Sequence, residues 1–127
     1  MKAPKRYKTC LLVTDDPDDQ VQFSEALNGI SSDTILISVS DSRKALTLIK
    51  KDILRPTFIF FDLSLGQVKP GKFLSEIKKM KLQTVTLVVY GKRKDVENRG
   101  LGKGVIFLDR SYSYNELQDF LSDLLRS

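Results

Sequence analysis

The chain has 127 residues, of which 41% are hydrophobic and 29% charged, a balance typical of one ordinary globular domain. It contains no histidine and a single cysteine, Cys10, which excludes histidine-based catalytic triads, histidine-ligated metals and an internal disulfide. No apolar run approaches the ~20 residues that a membrane helix needs, and no signal-peptide core follows the basic start of the chain, so we expect one cytoplasmic domain over residues 1–127.

The net charge of +5 comes from the second half of the chain. Residues 1–66 carry nine basic and nine acidic side chains, whereas residues 67–127 carry twelve basic and seven acidic ones. Clustered basic residues can bind nucleic-acid phosphates, and the candidate cluster here is Lys92, Arg93 and Lys94 with Arg99 and Lys103. Because no recognised DNA-reading motif accompanies this cluster, we favour a solvated surface over a nucleic-acid interface.

Five short apolar runs predict β-strands, over residues 9–13, 34–39, 57–61, 85–90 and 105–108. The third run is apolar at every position, as expected of a strand buried on both faces of a parallel sheet.

Segments with helical spacing of apolar residues follow each strand. The first is predicted to start at Asp16 as cap and Pro17, and the third at Pro70. The second is capped by Asp41 or Ser42, and its apolar face extends to Ile53. A short fourth helix is predicted over residues 94–101, and a clearly amphipathic fifth one over residues 117–125.

The strict alternation of strands and helices predicts the α/β class, as a three-layer α/β/α sandwich around a five-stranded parallel sheet. In such sheets ligands bind beyond the carboxyl ends of the strands, where the strand order reverses. For the order 2-1-3-4-5, that point lies between the first and third strands.

Acidic residues follow those two strands. Asp15 and Asp16 end the first strand and Asp62 ends the third, so their carboxylates are expected to converge. Like charges gathered in one pocket suit a hard cation such as Mg²⁺. A second interpretation is that Asp16 only caps the first helix, while Asp18 and Asp19 interact favourably with its dipole.

Three segments in order resemble the receiver domain of two-component response regulators, which has a flavodoxin-like fold. They are Leu11–Asp19 (LLVTDDPDD), Pro56–Leu65 (PTFIFFDLSL), and Phe107–Ser111 (FLDRS), which is followed by Glu116 and Leu117. Each segment is short, but together they extend the resemblance over essentially the whole chain. The resemblance implies a single-domain receiver of the chemotaxis type, without an output domain.

The resemblance also implies roles for individual residues. The aspartate at the position of Asp62 accepts a phosphoryl group from a histidine kinase or phosphotransfer protein. Mg²⁺ is held by that carboxylate, by the acids at Asp15 and Asp16, and by the backbone carbonyl of Ser64. The alignment leaves open which of Asp15 and Asp16 binds the metal.

The sequence departs from the family pattern at positions around this site. When the alignment is anchored on Pro17-Asp18-Asp19, Thr14 stands at the first acid of the family and Asp15 at the second, whereas a shift of one residue makes Asp15 and Asp16 the pair. Tyr90 aligns with a small hydroxyl residue that contacts the phosphoryl group, and Arg110 aligns with a lysine. Arg110 is either a phosphate contact or a surface cation beside Asp109. Phe107 stands at the aromatic switch position of the family and is alternatively plain core.

Three functions follow from these observations. The first is a stand-alone receiver that is phosphorylated on Asp62 with Mg²⁺. It would then repack the face formed by its fourth helix, fifth strand and fifth helix, changing how it binds a downstream protein or pairs as a homodimer. Tyr112 and Tyr114 are candidate anchors on that face, or fold onto the last helix.

The second function is a degenerate receiver that docks onto proteins without phosphorylation. The third is an aspartate-nucleophile phosphatase of the haloacid dehalogenase type. That enzyme is disfavoured, because Asp62-Leu63-Ser64 lacks the second aspartate of its motif and 127 residues leave no room for a cap insertion. We therefore predict a signalling protein and not an enzyme.

Overall fold

The computed structural model describes residues 8–31, 33–65, 67–80, 85–92 and 104–126. The strands are β1 (Lys8–Val13), β2 (Thr34–Val39), β3 (Phe58–Asp62), β4 (Thr86–Gly91) and β5 (Val105–Asp109). They form one parallel sheet in the order β2-β1-β3-β4-β5. The helices of the described part are α1 (Pro17–Ile30), α2 (Ser42–Lys50), α3 (Pro70–Lys79) and α4 (Tyr114–Arg126). The predicted α/β class and strand order are confirmed.

Two apolar layers hold the helices against the sheet. On one face, Phe23 of α1 and Leu117 and Leu121 of α4 pack against β1, β3 and β4. On the other face, α2 and α3 contribute Ile49 and Phe73 to a second cluster. All five residues of β3 are buried, since this strand lies at the centre of the sheet with helices on both sides.

Helix α1 begins as the sequence predicts. The side chain of Asp16 accepts hydrogen bonds from the backbone N–H groups of Asp18 and Asp19, and Pro17 occupies the first helical position. A cap of this kind stabilises a helix by ~1 kcal/mol, and the fixed φ of proline suits that first position.

Helix α2 ends earlier than its apolar pattern predicts. The backbone N–H of Asp52 bonds to the carbonyl of Ile49 and that of Ile53 to the carbonyl of Leu48, while Asp52 has a φ of 60°. This pair of bonds around a left-handed residue is the Schellman ending of a helix. It turns the chain outward, so the prediction that Ile53 lies on the buried face is wrong: its exposed fraction is 62%.

Other predictions concern residues that are only partly described. The short helix predicted over residues 94–101 lies outside the described residues, and of the basic cluster only Lys92 is described, as an exposed residue. No helix among the described ranges is long and apolar enough to cross a membrane. The cytoplasmic location stays a prediction.

The strand register brings the predicted site residues to one edge of the sheet. Val13 at the end of β1 pairs with Phe61, and Asp62 at the end of β3 pairs with Tyr90. Beyond β5, the backbone N–H of Arg110 donates a 2.9 Å hydrogen bond to the carbonyl of Gly91. The carboxyl ends of four adjacent strands thus surround one position.

Candidate functional site

Asp62 lies at the centre of this edge with an exposed fraction of 0%. Its Oδ2 accepts a 2.7 Å hydrogen bond from the hydroxyl of Thr14. Its Oδ1 accepts from the backbone N–H of Ser64 at 2.9 Å, from the Ser64 hydroxyl at 2.7 Å and from Arg110 Nη1 at 3.2 Å. Both carboxylate oxygens are therefore engaged by donors of the protein itself, as a buried charge requires.

Arg110 supplies the positive charge of the site. Its Nη2 lies 2.8 Å from Asp16 Oδ2 and 2.9 Å from Asp19 Oδ2, while its Nη1 contacts Asp62. Burial acts to lower the pKa of the guanidinium, but the carboxylates of Asp19 and Asp62 outweigh it and raise that pKa. One guanidinium thus joins three carboxylates, a bridging geometry that its planar donor fork permits.

Asp19 and Tyr90 form the buried side of the site. The Tyr90 hydroxyl, on a fully buried side chain, donates a 3.0 Å hydrogen bond to Asp19 Oδ2. Burial raises the pKa of Asp19 above its ordinary value, although Arg110 and the Tyr90 hydroxyl both act to lower it. Burial likewise raises the pKa of Tyr90, which keeps the phenol protonated as a donor. The Tyr90 ring also contacts the Arg110 guanidinium, whose central carbon is 5.6 Å from the ring centroid.

The turn from β1 into α1 separates Asp15 from Asp16. Asp15 is exposed, whereas Asp16 caps α1 through one oxygen and binds Arg110 through the other. Thr14 is buried, and its hydroxyl oxygen accepts a 3.2 Å hydrogen bond from the Asp16 N–H while donating to Asp62. Asp16 and Asp62 therefore meet around Arg110, and Asp15 lies outside that contact.

The donor set does not fit a divalent cation as it is arranged. Mg²⁺ needs oxygen ligands at ~2.0–2.1 Å in octahedral geometry. Here the oxygens of Asp62 face hydroxyl, amide and guanidinium donors, and a hydroxyl at Thr14 stands where an acid is expected from the resemblance. Throughout the described ranges, no three carboxylate or thiolate side chains come together in a way that holds a metal ion. The guanidinium occupies the position of positive charge between the carboxylates.

Three predicted aromatic residues lie outside the contacts of the site. Phe107 is half-buried and packs against the apolar layer under α2 and α3. Tyr112 is half-buried on the opposite face, edge-on to Phe23 at a centroid distance of 6.4 Å, and burial raises its pKa to about 12. Tyr114, the first residue of α4, is 44% exposed. Of the two tyrosines, Tyr114 is the exposed one.

Sequence reasoning missed Asp19 as a member of the site. Its position in the first turn of α1 predicts only a favourable charge near the helix dipole, yet its exposed fraction is 6%. The signal was present in the spacing, because Asp19 precedes Phe23 and Ala26 by four and seven residues and therefore lies on the buried stripe of the helix. A carboxylate on an apolar stripe needs a buried partner, here Arg110 and Tyr90.

The alternative prediction that Arg110 is a surface cation beside Asp109 is wrong. The side chain is 29% exposed and turns toward the three aspartates, while Asp109 Oδ1 accepts hydrogen bonds from the N–H and hydroxyl of Ser111.

No protein-family model matches the chain, and no curated protein matches it. Solved structures do match over nearly its whole length. The chemotaxis response regulator CheY4 of Vibrio cholerae is 18% identical, with a TM-score of 0.74, over 93% of this chain and 98% of that one. The Mn²⁺-bound response regulator Rcp1 is 25% identical, with a TM-score of 0.73, over 92% of this chain and 91% of that one.

A third match is the receiver domain of a sensor histidine kinase from Pseudomonas aeruginosa, whose structure holds a magnesium ion in its active-site cleft. It is 21% identical, with a TM-score of 0.74, over 95% of this chain and 99% of that one. Identities this low establish the fold and not the chemistry. The resemblance inferred from the sequence is confirmed at that level: this chain has the fold of a response regulator receiver domain.

Proposed function

We propose that residues 1–127 act as a single signalling domain of the receiver type, which docks onto protein partners in one fixed state without phosphorylation of Asp62. The observation that carries this proposal is that Asp62 has no exposed surface and that both of its carboxylate oxygens accept hydrogen bonds from other groups of the protein. The partners are the classes expected for receivers, a histidine kinase or phosphotransfer protein and a downstream target protein.

The chemistry of phosphoryl transfer explains why this engagement matters. A carboxylate oxygen must reach the phosphorus in line with the leaving group, and a cation must neutralise the incoming oxygens. Asp62 Oδ2 would have to lose its bond with Thr14, and Arg110 would have to leave its other carboxylates. Each hydrogen bond to a charged group contributes ~1.5–3 kcal/mol, so opening the site costs several such bonds before any transfer starts.

The second candidate is the magnesium-dependent receiver, phosphorylated on Asp62. It is favoured by exposed Asp15 at the end of β1 and by the metal-bound receiver domains of the same fold. In that case Arg110 would have to move away, and Asp62, one of Asp15 and Asp16, and the Ser64 carbonyl would hold Mg²⁺, as predicted from the resemblance.

An amide NMR titration separates these two functions. The isotope-labelled chain is titrated with Mg²⁺ and then with beryllium fluoride, which imitates a phosphoryl group on aspartate. We expect no saturable shifts of the amides around Asp62. Saturable shifts that disappear in Asp62→Asn would overturn the proposal in favour of the phosphorylated receiver.

A matched gain-of-function variant shows that the assay can report binding. The triple variant Thr14→Asp, Tyr90→Thr and Arg110→Lys restores the family pattern at the three departing positions. We expect Mg²⁺-dependent shifts in this variant and not in the unaltered chain. If the triple variant is folded and equally silent, these three residues are not what closes the site to Mg²⁺, and the proposed role of Arg110 as the resident cation is wrong.

A further inference from the structure

The two helical layers of the domain carry opposite charge. Helices α1 and α4, on one face of the sheet, contain six acidic side chains and one basic one. Helices α2 and α3, on the other face, contain six basic side chains and one acidic one. The acidic face comprises Asp18, Asp19, Glu25, Glu116, Asp119 and Asp123; the basic face comprises Arg43, Lys44, Lys50, Lys72, Lys78 and Lys79.

These charges are directed to solvent. All six basic side chains are exposed, as are all the acids of the acidic face except Asp19. The single acid of α2 and α3, Glu76, lies 3.2 Å from Lys50 and 3.8 Å from Lys79, so it is shared between two cations and neutralises only part of their charge. The sheet and its two apolar layers keep the faces apart, and they cannot neutralise each other within one molecule.

Exposed aliphatic side chains accompany both pairs of helices. Val21 on α1 is 54% exposed, and Ile53, just after α2, is 62% exposed. When a contact between two proteins buries apolar side chains such as these, their removal from water adds a favourable free energy to the attraction between the charges.

We propose that the basic face docks the acidic face of a second copy of this chain, in a head-to-tail contact. Complementary charge is carried by the chain itself, and pairing either face with its own copy would bring like charges together. A contact between two different faces is heterologous, so it continues from copy to copy instead of closing as a symmetric dimer. This self-association does not depend on the state of Asp62.

Sedimentation velocity on the full chain tests the proposal. At an ionic strength of ~0.01 M, where the Debye length is about 30 Å, we expect the average mass to rise with protein concentration. At ~0.1 M, where it is about 10 Å, we expect the apparent dissociation constant to be higher by about tenfold or more.

Charge-reversal variants identify the two faces. The basic-face variant carries Lys44→Glu and Lys72→Glu, and the acidic-face variant carries Glu25→Lys and Asp119→Lys. Each alone is expected to remain monomeric at low ionic strength, because the altered face then carries nearly balanced charge, with four side chains of its original sign and three of the opposite sign. Mixing the two should restore association.

The charge-preserving pair Lys44→Arg and Lys72→Arg is the matched control and should associate like the unaltered chain. Circular dichroism confirms that each variant is folded.

Three results would overturn the proposal. The first is that the unaltered chain stays monomeric at low ionic strength. That result overturns the proposal even if the basic face of the monomer binds an acidic polymer such as polyglutamate. The second is a folded single-face variant that still associates. The third is a mixture of the two variants that does not associate.

Discussion

Replacing Arg110 tests whether the guanidinium holds the site together. Arg110→Met removes the charge and keeps most of the aliphatic length, so the side chain can still pack against the Tyr90 ring. The substitution leaves the buried carboxylates of Asp62 and Asp19 without their cation. It also removes the ion pair that joins α1, through Asp19, to the end of β5.

The expected loss in the free energy of unfolding is ~2–4 kcal/mol. Removing one partner of a buried pair costs ~3–5 kcal/mol, but the remaining bonds of Asp62 with Thr14 and Ser64 reduce that cost here. The pair with Asp16 adds at most ~1 kcal/mol, because both side chains are about a third exposed and solvent screens them. Arg110→Lys keeps one charge but cannot bridge three carboxylates, so we expect it to lose ~1 kcal/mol.

The loss in the free energy of unfolding caused by Arg110→Met depends on pH, and the direction of the pKa shift of Asp19 gives the sign of that dependence. The pKa of Asp19 is raised above its ordinary 3.8 in the folded chain, and without Arg110 it rises further. A raised folded-state pKa means that the folded chain binds more protons, so stability is lost as pH rises through that pKa. The difference between unaltered chain and Arg110→Met should therefore be smallest near the ordinary pKa of aspartate and grow toward neutral pH.

Urea unfolding of the three chains at acidic and neutral pH measures these differences. Added Mg²⁺ gives a second readout: it should stabilise Arg110→Met, whose carboxylates have lost their cation, and leave the unaltered chain unchanged. A loss below ~0.5 kcal/mol, the range of an ordinary surface substitution, would refute the role of Arg110 as the cation that holds the site.

Three further predictions concern single buried groups. Tyr90→Phe removes the donor to Asp19 and should cost ~1–2 kcal/mol in urea unfolding, because Arg110 still satisfies that carboxylate; an unchanged midpoint would mean that the hydroxyl bond is not formed in solution. Asp19→Asn removes a carboxylate whose pKa is raised, so its stability relative to the unaltered chain should increase from acidic to neutral pH, and a decrease over that range would contradict the assigned direction. Burial raises the pKa of the Cys10 thiol to about 12, so Ellman's reagent should react with it at mildly alkaline pH only after unfolding, and rapid reaction of the folded chain would show that the thiol is accessible.

The elements of the fold could be predicted from the sequence because they depend on neighbours in the chain. Asp16 and Pro17 start α1 through local hydrogen bonds and a fixed φ, and the uninterrupted apolar run of β3 requires cover on both faces. The error at Ile53 arose because periodicity alone does not show that a left-handed residue ends the helix. That Asp62 and Asp16 share one edge of the sheet followed from the strand order.

Local sequence was enough to predict the strands and most of the helices, since these follow from periodicity and caps within short stretches of chain. The expected strand order, and with it the edge where the acids gather, came from the alternation of strands and helices and the sheet type that it predicts. The position of Arg110 between the carboxylates depends on the folded chain, because Arg110 lies 94 residues beyond Asp16. The folded chain also sets the charge pattern: counted along the chain, the basic excess lies in the second half, whereas in the folded protein the described helices on one side of the sheet are mainly basic and those on the other side mainly acidic. Both outcomes rest on contacts between segments far apart in sequence, which no local pattern encodes.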